Sequence, residues 1–327
     1  MRLDVNHDVV MRGPCEIRVI RGRVSILGLY SDYFILPDDT FSVSSHGDSE
    51  IETNCQYINT YPSLGLSNIS DMIAMSGGKV VVLGESDAGK SYMSKTIYNT
   101  SDQFTYIDLD VGQSSLFLPT FVSSLRETKL WFDTPLIFTE TFFFGDISPS
   151  RDPKRHIEIS IKLVENEKNV IVDTDGWLKG GGEVHKRDLI SQIDPDYIIC
   201  MGEETLKLVP KGYSQRILLV KRRNLNKKPK SLRQRKRRQA YRRYFESSNL
   251  LKPSNFGRRF NGGRTSCYDA RVVNGLLVGL ILGDKVVGAG QMVLDEDIGI
   301  RTPVAEFDDF VMGLVSLDES WRERRLF

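Results

Sequence analysis

The run Val80-Val81-Val82-Leu83 leads directly into Gly84-Glu85-Ser86-Asp87-Ala88-Gly89-Lys90-Ser91, and this stretch decides the fold. The apolar run predicts a buried strand, and residues 93–98 predict a helix behind the loop. Glycines at both ends of the loop allow the backbone to bend around phosphate groups and to point its N–H groups inward. The stretch therefore predicts a phosphate-binding loop (P-loop) for a nucleoside triphosphate.

Two residues of this loop have separate roles. Lys90 can neutralise the β- and γ-phosphate oxygens as a point charge, and the hydroxyl of Ser91 can ligate Mg²⁺ at the helix N-terminus. A glycine-rich turn that matches by accident is the alternative, and the agreement of strand, loop and helix disfavours it. We expect the nucleotide to contact Gly84, Glu85, Ser86, Asp87, Ala88, Gly89, Lys90, Ser91 and Tyr92.

Length and composition indicate a globular protein of more than one domain. The chain has 327 residues, of which 40% are hydrophobic and 27% charged, which favours a packed core over disorder. It has neither a run of about 20 apolar residues nor the apolar segment of a signal peptide. The four cysteines, Cys15, Cys55, Cys200 and Cys267, are scattered, which favours reduced thiols. We expect a soluble, cytoplasmic protein without membrane contact.

Three patterns follow one another along the chain. The first 65 or so residues alternate short β-like runs with turns, which predicts a small β domain. Beyond them, strands that are apolar throughout alternate with helical stretches, as in a parallel sheet buried on both faces. The predicted strands include residues 135–138, which lead into 141–144. Glycine-spaced apolar runs at 275–282 and 311–315 predict a second β domain. The predicted fold is α/β, with boundaries at 1–66, 67–252 and 253–327.

A second motif follows the predicted strand at 105–109 and reads Asp108-Leu109-Asp110-Val111-Gly112-Gln113. A carboxylate at a strand end next to a P-loop can hold Mg²⁺ or polarise an attacking hydroxyl. We favour Asp110 because it lies closer to the tip, and Gly112 allows the backbone to approach the phosphates. Asp108 is expected to have a structural role. The alternative is that both aspartates only solvate a strand end.

The net charge of +1 hides a basic segment. Thirteen of the 23 residues from Lys221 to Arg243 are Lys or Arg. A disordered arm that binds nucleic acid nonspecifically is one interpretation. An ordered lid is favoured, since apolar residues at helical spacing gather at its far end, at Ala240, Tyr241, Tyr244 and Phe245. Arg233 and Arg237 lie on one helix face, where two guanidinium groups suit a triphosphate that develops charge.

Further motifs complete a family pattern. Phe144-Gly145-Asp146-Ile147-Ser148-Pro149 and Val172-Asp173-Thr174-Asp175-Gly176-Trp177 follow in order, and Arg243-Tyr244-Phe245 ends the basic segment. Together with the P-loop and the Asp-x-Gly-Gln motif, they resemble the polynucleotide 5′-hydroxyl kinases. This family includes the RNA kinase of tRNA splicing and pre-mRNA cleavage and the nucleolar pre-rRNA processing kinase, and the stand-alone archaeal members are the most similar. The resemblance runs from about residue 5 to the C-terminus.

The resemblance implies a central P-loop kinase domain with a mostly parallel sheet and an Arg-rich lid at about 225–247, flanked by small N-terminal and C-terminal β domains. It implies ATP and Mg²⁺ (or another divalent cation) as cofactors, RNA or DNA 5′-hydroxyl ends as substrates, and protein partners in an RNA-processing complex. By motif, Lys90, Asp110, Arg233 and Arg237 are catalytic, with Asp110 similar to the general base. Ser91 and Asp110 would bind the metal, and Gln113, Thr174 and Trp177 the substrate.

Several alternatives stay open. Trp177 would stack on a base near the 5′ end, whereas a buried structural tryptophan is the other interpretation. Lys228 stands where some family members have a third lid arginine, and Tyr92 replaces a small hydroxyl residue. His185 is expected at the surface. An ATP-bound scaffold with little catalysis is the second functional hypothesis, and a P-loop GTPase, for which no guanine-recognition motif is found, is the third.

Overall fold

The computed structural model describes residues 1–5, 7–221, 229–251, 273–294 and 298–326. These residues form four β-sheets and five α-helices. Lys228 and Cys267, which were considered above, lie outside the described residues. Among the described helices, none combines the length and apolar character needed to cross a lipid bilayer.

The N-terminal part consists of two antiparallel sheets, ordered β1-β8-β3-β6 and β5-β4-β7-β2-β9. Ile17 and Phe34 of the first sheet and Val9 and Val43 of the second belong to one buried cluster, so the sheets pack face to face. The strands are β1 (Arg2–Leu3), β2 (His7–Arg12), β3 (Cys15–Arg21), β4 (Val24–Ile26), β5 (Leu29–Tyr30), β6 (Tyr33–Leu36), β7 (Thr40–Ser45), β8 (Ser49–Thr53) and β9 (Gln56–Pro62).

The central sheet has seven strands in the order β13-β12-β11-β14-β10-β15-β16. The strands from β11 to β16 in this order pair in parallel, whereas β12 and β13 are antiparallel. The strands are β10 (Lys79–Gly84), β11 (Thr105–Asp108), β12 (Phe121–Leu125), β13 (Glu140–Phe143), β14 (Val170–Asp173), β15 (Tyr197–Met201) and β16 (Ile217–Val220). Val80 and Val82 pack into one apolar cluster and Val81 and Leu83 into another, so both faces of β10 are buried.

The described residues form five α-helices. They are α1 (Leu66–Ser76), α2 (Lys90–Thr100), α3 (Pro153–Val164), α4 (Gly181–Ile193) and α5 (Lys230–Phe245), with 3₁₀ turns at Pro149–Arg151, Glu203–Leu208 and Lys211–Arg216. The basic segment thus contains an ordered helix, α5. Its far end is anchored as predicted, since Tyr241 and Phe245 are buried against Leu277 and Ala289.

A six-stranded antiparallel sheet forms the C-terminal part, in the order β17-β20-β19-β18-β21-β22. Its strands are β17 (Asn249–Leu251), β18 (Leu276–Leu282), β19 (Lys285–Leu294), β20 (Ile298–Thr302), β21 (Asp309–Leu317) and β22 (Glu323–Arg325). The predicted fold class, a mostly parallel α/β sheet flanked by β-sheets, is confirmed. The boundaries at 66 and 252 stay predictions, and β17 pairs with β20 across the second of them.

Two sequence-based expectations are wrong. Residues 135–138 form no strand. Leu136 has a positive φ of 58°, and Phe138 packs edge-on against Phe117, so this apolar run fills a core cluster as a loop. Cys15 and Cys55 form a disulfide, because β3 and β8 are paired neighbours and bring the start of one beside the end of the other. Cys200 is a buried free thiol.

Candidate active site

The predicted P-loop connects β10 to α2 at the carboxyl edge of the central sheet. Gly89 precedes α2 with a φ of 92°, a conformation that glycine adopts without steric cost. The Lys90 side chain is buried, and its Nζ donates to the backbone oxygen of Glu85 at 3.0 Å. The ammonium group therefore lies inside the loop, where a P-loop lysine contacts phosphate oxygens. The phenol of Tyr92 donates to Ser42 O at 2.8 Å and so links α2 to the N-terminal part.

The motifs after β11 and β14 lie beside this loop because these strands are parallel neighbours of β10 in the order β11-β14-β10. Gly176 shows how closely they approach. A Cβ at this position would lie 2.6 Å from the backbone nitrogen of Ser86, so only glycine fits there. The sheet thus brings the P-loop, Asp108–Gln113 and Asp173–Trp177 to one edge, where parallel α/β sheets bind ligands.

Asp108 and Asp110 differ in their surroundings. Oδ2 of Asp108 accepts from Ser114 Oγ at 2.7 Å and from Ser115 N at 2.6 Å, and burial raises the pKa of this carboxyl group to about 7. Asp110 is partly exposed, and its Oδ1 accepts from the backbone nitrogens of Gly112 and Gln113, each at 2.9 Å. Burial raises the pKa of Asp110 to about 6, helped by the charge of Asp175 and opposed by Lys90. Asp108 thus orders the loop, and Asp110 lies where the charge of the P-loop lysine influences its pKa.

Asp173, at the end of β14, is a site residue that sequence reasoning missed. Tyr106 donates its hydroxyl to Oδ2 at 3.0 Å, while Oδ1 is buried and, within the described part of the chain, accepts no hydrogen bond of standard geometry. Burial raises the pKa of Asp173, whereas Lys90 and the hydroxyl of Ser91 favour its ionised form. The sequence signal was the run Val170-Ile171-Val172 before this aspartate, a pattern that supplies the second metal-holding residue of P-loop enzymes.

The predicted substrate contacts are placed differently from one another. Gln113 is partly exposed in the loop beside Asp110, and Trp177 is partly exposed with its indole 5.5 Å from the ring of His185. Thr174 is fully buried, and its hydroxyl donates to Val82 O at 2.7 Å. The side chain of Thr174 therefore faces the core, and the geometry does not support its predicted contact with substrate phosphates.

The two predicted lid arginines also differ. Arg237 extends to the Asp-x-Gly-Gln loop, where Nη1 donates to Gly112 O at 3.3 Å. Its Nε donates to Glu323 Oε2 at 2.5 Å, and Nη2 forms a second bond with Oε1, so β22 holds this guanidinium in a bidentate ion pair. Arg233 lies one turn earlier and is partly exposed. The structure therefore brings Arg237 to the site together with a neutralising carboxylate.

A buried polar cluster lies below the site, and it corrects the expectation for His185. This residue belongs to α4 and is 2% exposed, because the Gly-rich stretch forms a helix instead of a surface loop. Its Nε2 lies 3.1 Å from Nδ1 of the fully buried His156. The neighbouring Lys186 pairs with Asp175 at 2.5 Å. Burial alone would raise the pKa of Asp175, but the charge of Lys186 and its hydrogen bond hold it at about 2.

Comparison with known proteins identifies the family of the chain. A family model described as the P-loop of the mRNA cleavage and polyadenylation factor CLP1 matches residues 84–247, half of the chain. The chain belongs to the CLP1 P-loop family. The matched region begins at the first glycine of the P-loop and ends just beyond α5, so it contains all three motifs at the sheet edge and the basic helix α5.

Relatives in this family are named as kinases. The polyribonucleotide 5′-hydroxyl-kinase of Pyrococcus furiosus is 28% identical over 192 residues, covering 53% of this chain and 52% of its own. That of Pyrococcus horikoshii is 30% identical over 183 residues, covering 53% and 51%. The chain thus spans about half the length of these relatives. The polyribonucleotide 5′-hydroxyl-kinase Clp1 of Homo sapiens is 25% identical over 174 residues, covering 46% and 40%.

A solved structure shows the same fold over nearly the whole chain. In the structure of a wild-type Clp1p–Pcf11p complex, the similar chain superposes with a TM-score of 0.69 and 15% identity, covering 96% of each chain. The likeness therefore extends to the flanking β-sheets, beyond the region that the family model matches.

Proposed function

We propose that this protein is an ATP-dependent polynucleotide kinase that transfers the γ-phosphoryl group to the 5′-hydroxyl end of RNA, and of DNA as an additional substrate. The observation that carries the proposal is the position of Asp110, a partly exposed carboxylate beside the P-loop whose raised pKa is influenced by the charge of Lys90. A loop that only binds nucleotide does not require a base at this place. The names of the family members that match the chain support the same reaction.

The proposed roles follow from the surroundings of each group. Asp110 accepts the proton of the attacking hydroxyl, and its pKa of about 6 makes it a stronger base than an exposed aspartate while it stays mostly ionised at neutral pH. Lys90 holds the phosphate oxygens of ATP. Arg233 and Arg237 stabilise the charge that develops on the transferred group, and the loops at the carboxyl edge of the sheet orient donor and acceptor.

The side chains at this edge also suit Mg²⁺. Hard cations prefer oxygen ligands, and Ser91, Asp110 and Asp173 supply a hydroxyl and two carboxylates. The buried Oδ1 of Asp173 is a polar atom that a cation would satisfy. We propose that these three residues hold the ion, which when bound neutralises charge on the β- and γ-phosphate oxygens.

Two residues are proposed to bind the nucleic acid. Trp177 presents a partly exposed indole on which the first base can stack, a contact worth about 1–3 kcal/mol per base and tolerant of sequence. Gln113 lies next to Asp110 and can donate to the terminal phosphate groups. Protein partners in an RNA-processing complex are a further part of the proposal, supported by the complex of Clp1p with Pcf11p.

An ATP-bound scaffold is the second candidate function. The ion pair between Arg237 and Glu323 favours it, because a guanidinium engaged by a carboxylate contacts phosphate less readily. The set of Lys90, Ser91 and Asp110 at one edge favours the kinase.

The test is transfer of labelled γ-phosphate from ATP to matched RNA and DNA oligonucleotides with 5′-hydroxyl ends. Versions with 5′-phosphate ends are the controls. We expect label only on the 5′-hydroxyl oligonucleotides, and the two rates rank RNA against DNA. Absence of transfer with ATP still bound would contradict the kinase and favour the scaffold.

A further inference from the structure

The peptide bond between Leu109 and Asp110 is held from both sides. Its N–H donates to Oδ1 of Asp108 at 3.0 Å, and its carbonyl oxygen lies 3.0 Å from Nε2 of His156 on α3. Two hydrogen bonds on opposite sides fix the plane of a peptide, and this plane sets the direction in which the Asp110 side chain leaves the backbone. His156 is fully buried, so the bond to Leu109 is shielded from water.

The carbonyl also determines the protonation of both histidines. A carbonyl oxygen only accepts, so Nε2 of His156 carries its proton and Nδ1 is an acceptor. Nδ1 then accepts from Nε2 of His185 at 3.1 Å, which leaves Nδ1 of His185 as a buried atom without a partner within the described residues. Burial lowers the pKa of His156 to about 4 and that of His185 to about 3, in agreement with two neutral rings.

The pair extends from the Asp110 loop to the Trp177 loop. The ring of His185 packs against the indole of Trp177 at 5.5 Å with an angle of 38° between the planes. The backbone nitrogen of Trp177 donates to Asp175 Oδ1 at 2.8 Å, and Asp175 is paired with Lys186. A continuous set of contacts therefore joins Trp177, which is proposed to stack on the first nucleobase, to the Leu109–Asp110 peptide, which directs the side chain of Asp110.

A metal centre is the competing interpretation, since ligand atoms of His156, Asp175 and His185 lie within 4.8 Å of one another. Two observations disfavour it. Both ring nitrogens of His156 already have hydrogen-bond partners. The Lys186 ammonium lies 2.5 Å from Oδ2 of Asp175 and places a positive charge where a cation would bind.

We propose that His156 is a positioning residue for Asp110, and that His185 holds His156 in the tautomer that donates to Leu109. This inference rests on the proposed kinase function. His185 also contacts Trp177. The general base Asp110 and the indole proposed to stack on the first nucleobase are therefore held by one packed set of residues. The pair does not touch the reacting atoms.

The test compares His156→Phe, which keeps the ring but removes the donor, with His156→Gln, whose amide nitrogen can occupy the place of Nε2. We expect His156→Phe to lower kcat about 10- to 100-fold with KM for ATP and for the 5′-hydroxyl oligonucleotide changed by less than about twofold. His156→Gln should recover most of the loss. Equal kcat for wild type and His156→Phe, or an equal loss in both variants, would overturn the proposal.

His185→Phe tests the proposed role of His185. It also replaces the comparison of His156→Phe with His156→Gln if His156→Phe does not fold. It keeps the packing against Trp177 and the bond to Leu109 but removes the donor to His156. We expect about a three- to tenfold lower kcat at unchanged KM, and no additional loss when it is combined with His156→Phe. An unchanged kcat, or losses that multiply, would overturn the role of His185.

Hydrogen exchange of residues 109–113 separates this inference from the kinase function. We expect faster exchange in His156→Phe and wild-type exchange in His156→Gln, whether or not the wild type transfers phosphate. A wild type without transfer would refute the kinase alone. Unchanged exchange in His156→Phe would refute the positioning role alone.

Discussion

Asp110 is surrounded by ionisable groups whose charges are set by the fold. Asp173 and Asp175 raise its pKa by repulsion and Lys90 lowers it, while burial has the largest effect. The pKa of Asp108, two residues earlier, is raised further, to about 7, because this carboxyl group is fully buried. The two carboxylates of one motif therefore differ in basicity and in access, and only Asp110 combines partial exposure with a place beside the P-loop.

Asp110→Asn should abolish most of the proposed transfer while ATP still binds. Asparagine keeps the shape of the side chain and can accept from Gly112 and Gln113, but it cannot accept a proton. We expect kcat to fall about 10²- to 10⁴-fold and the Kd for ATP to change by less than about threefold. Asp102→Asn, at an exposed position before β11, is the control. Near-wild-type transfer by Asp110→Asn would refute the assignment of the base.

The buried histidine predicts a pH dependence of stability. The folded pKa of His156 is about 4, whereas an unfolded histidine titrates near 6.5. Between these values the unfolded state binds the proton, so the contribution of His156 to stability is present above about pH 6.5 and is lost as the pH falls towards about 4. The His156→Phe variant has no imidazole that binds a proton in the unfolded state, so it does not lose stability in this way. Its destabilisation at pH 7.5, measured by urea unfolding, should therefore shrink by about 2 kcal/mol at pH 5. A destabilisation independent of pH would contradict the buried neutral ring.

Single residues show what the sequence could predict about the site. The P-loop and Asp110 were predicted because their spacing and their place after a strand are local properties. The burial of Thr174 and the pairing of His156 with His185 were not predicted, since they depend on tertiary packing. The two histidines are 29 residues apart and meet only because α3 and α4 pack together. Asp173 could have been predicted from the apolar run before it.

At the scale of elements, the basic helix α5 combines a predictable and an unpredictable part. The helical spacing of its apolar end predicted the anchor, which is confirmed by the burial of Tyr241 and Phe245. The partner of Arg237 was not predictable, because Glu323 lies 86 residues further along the chain and meets the helix only through the C-terminal sheet. The predicted strand at residues 135–138 was wrong for a related reason, since an apolar run predicts burial but does not determine the backbone conformation.

Arg233→Ala should reduce turnover more than nucleotide binding. Arg233 is partly exposed on the face that it shares with Arg237, and charge on the transferred group develops only during the reaction. We expect kcat to fall at least tenfold with the Kd for ATP within about threefold. Arg235→Ala, an exposed position on the same helix, is the matched control and should change neither value by more than about twofold. Equal losses in ATP affinity and kcat would indicate a basic arm that only binds.

At the scale of the whole molecule, α5 connects all three parts of the chain. Lys236 pairs with Asp39 of the N-terminal part at 2.8 Å, and Arg237 and Arg238 bond to Glu323 and to Ser320 O in the C-terminal part. Arg243 donates to Thr134 O of the central part at 3.3 Å. The order of the three parts was predictable from composition, whereas these connections were not, because a run of cations does not indicate which of its members has a distant partner.

Glu323→Ala tests whether this connection stabilises the molecule. The side chains of Arg237 and Glu323 are only 11% and 10% exposed, so the variant leaves a largely buried guanidinium unpaired. Loss of one partner of a buried ion pair is strongly destabilising, and we expect the free energy of unfolding to fall by about 3–5 kcal/mol. The loss should be local, with faster hydrogen exchange in α5 and β22 and unchanged protection in β10, β11 and β14. Glu319→Ala, at an exposed position of the preceding turn, is the control and should change stability by less than about 0.5 kcal/mol. Equal stability of the Glu323→Ala and Glu319→Ala variants would show that the ion pair does not hold α5 on the C-terminal sheet.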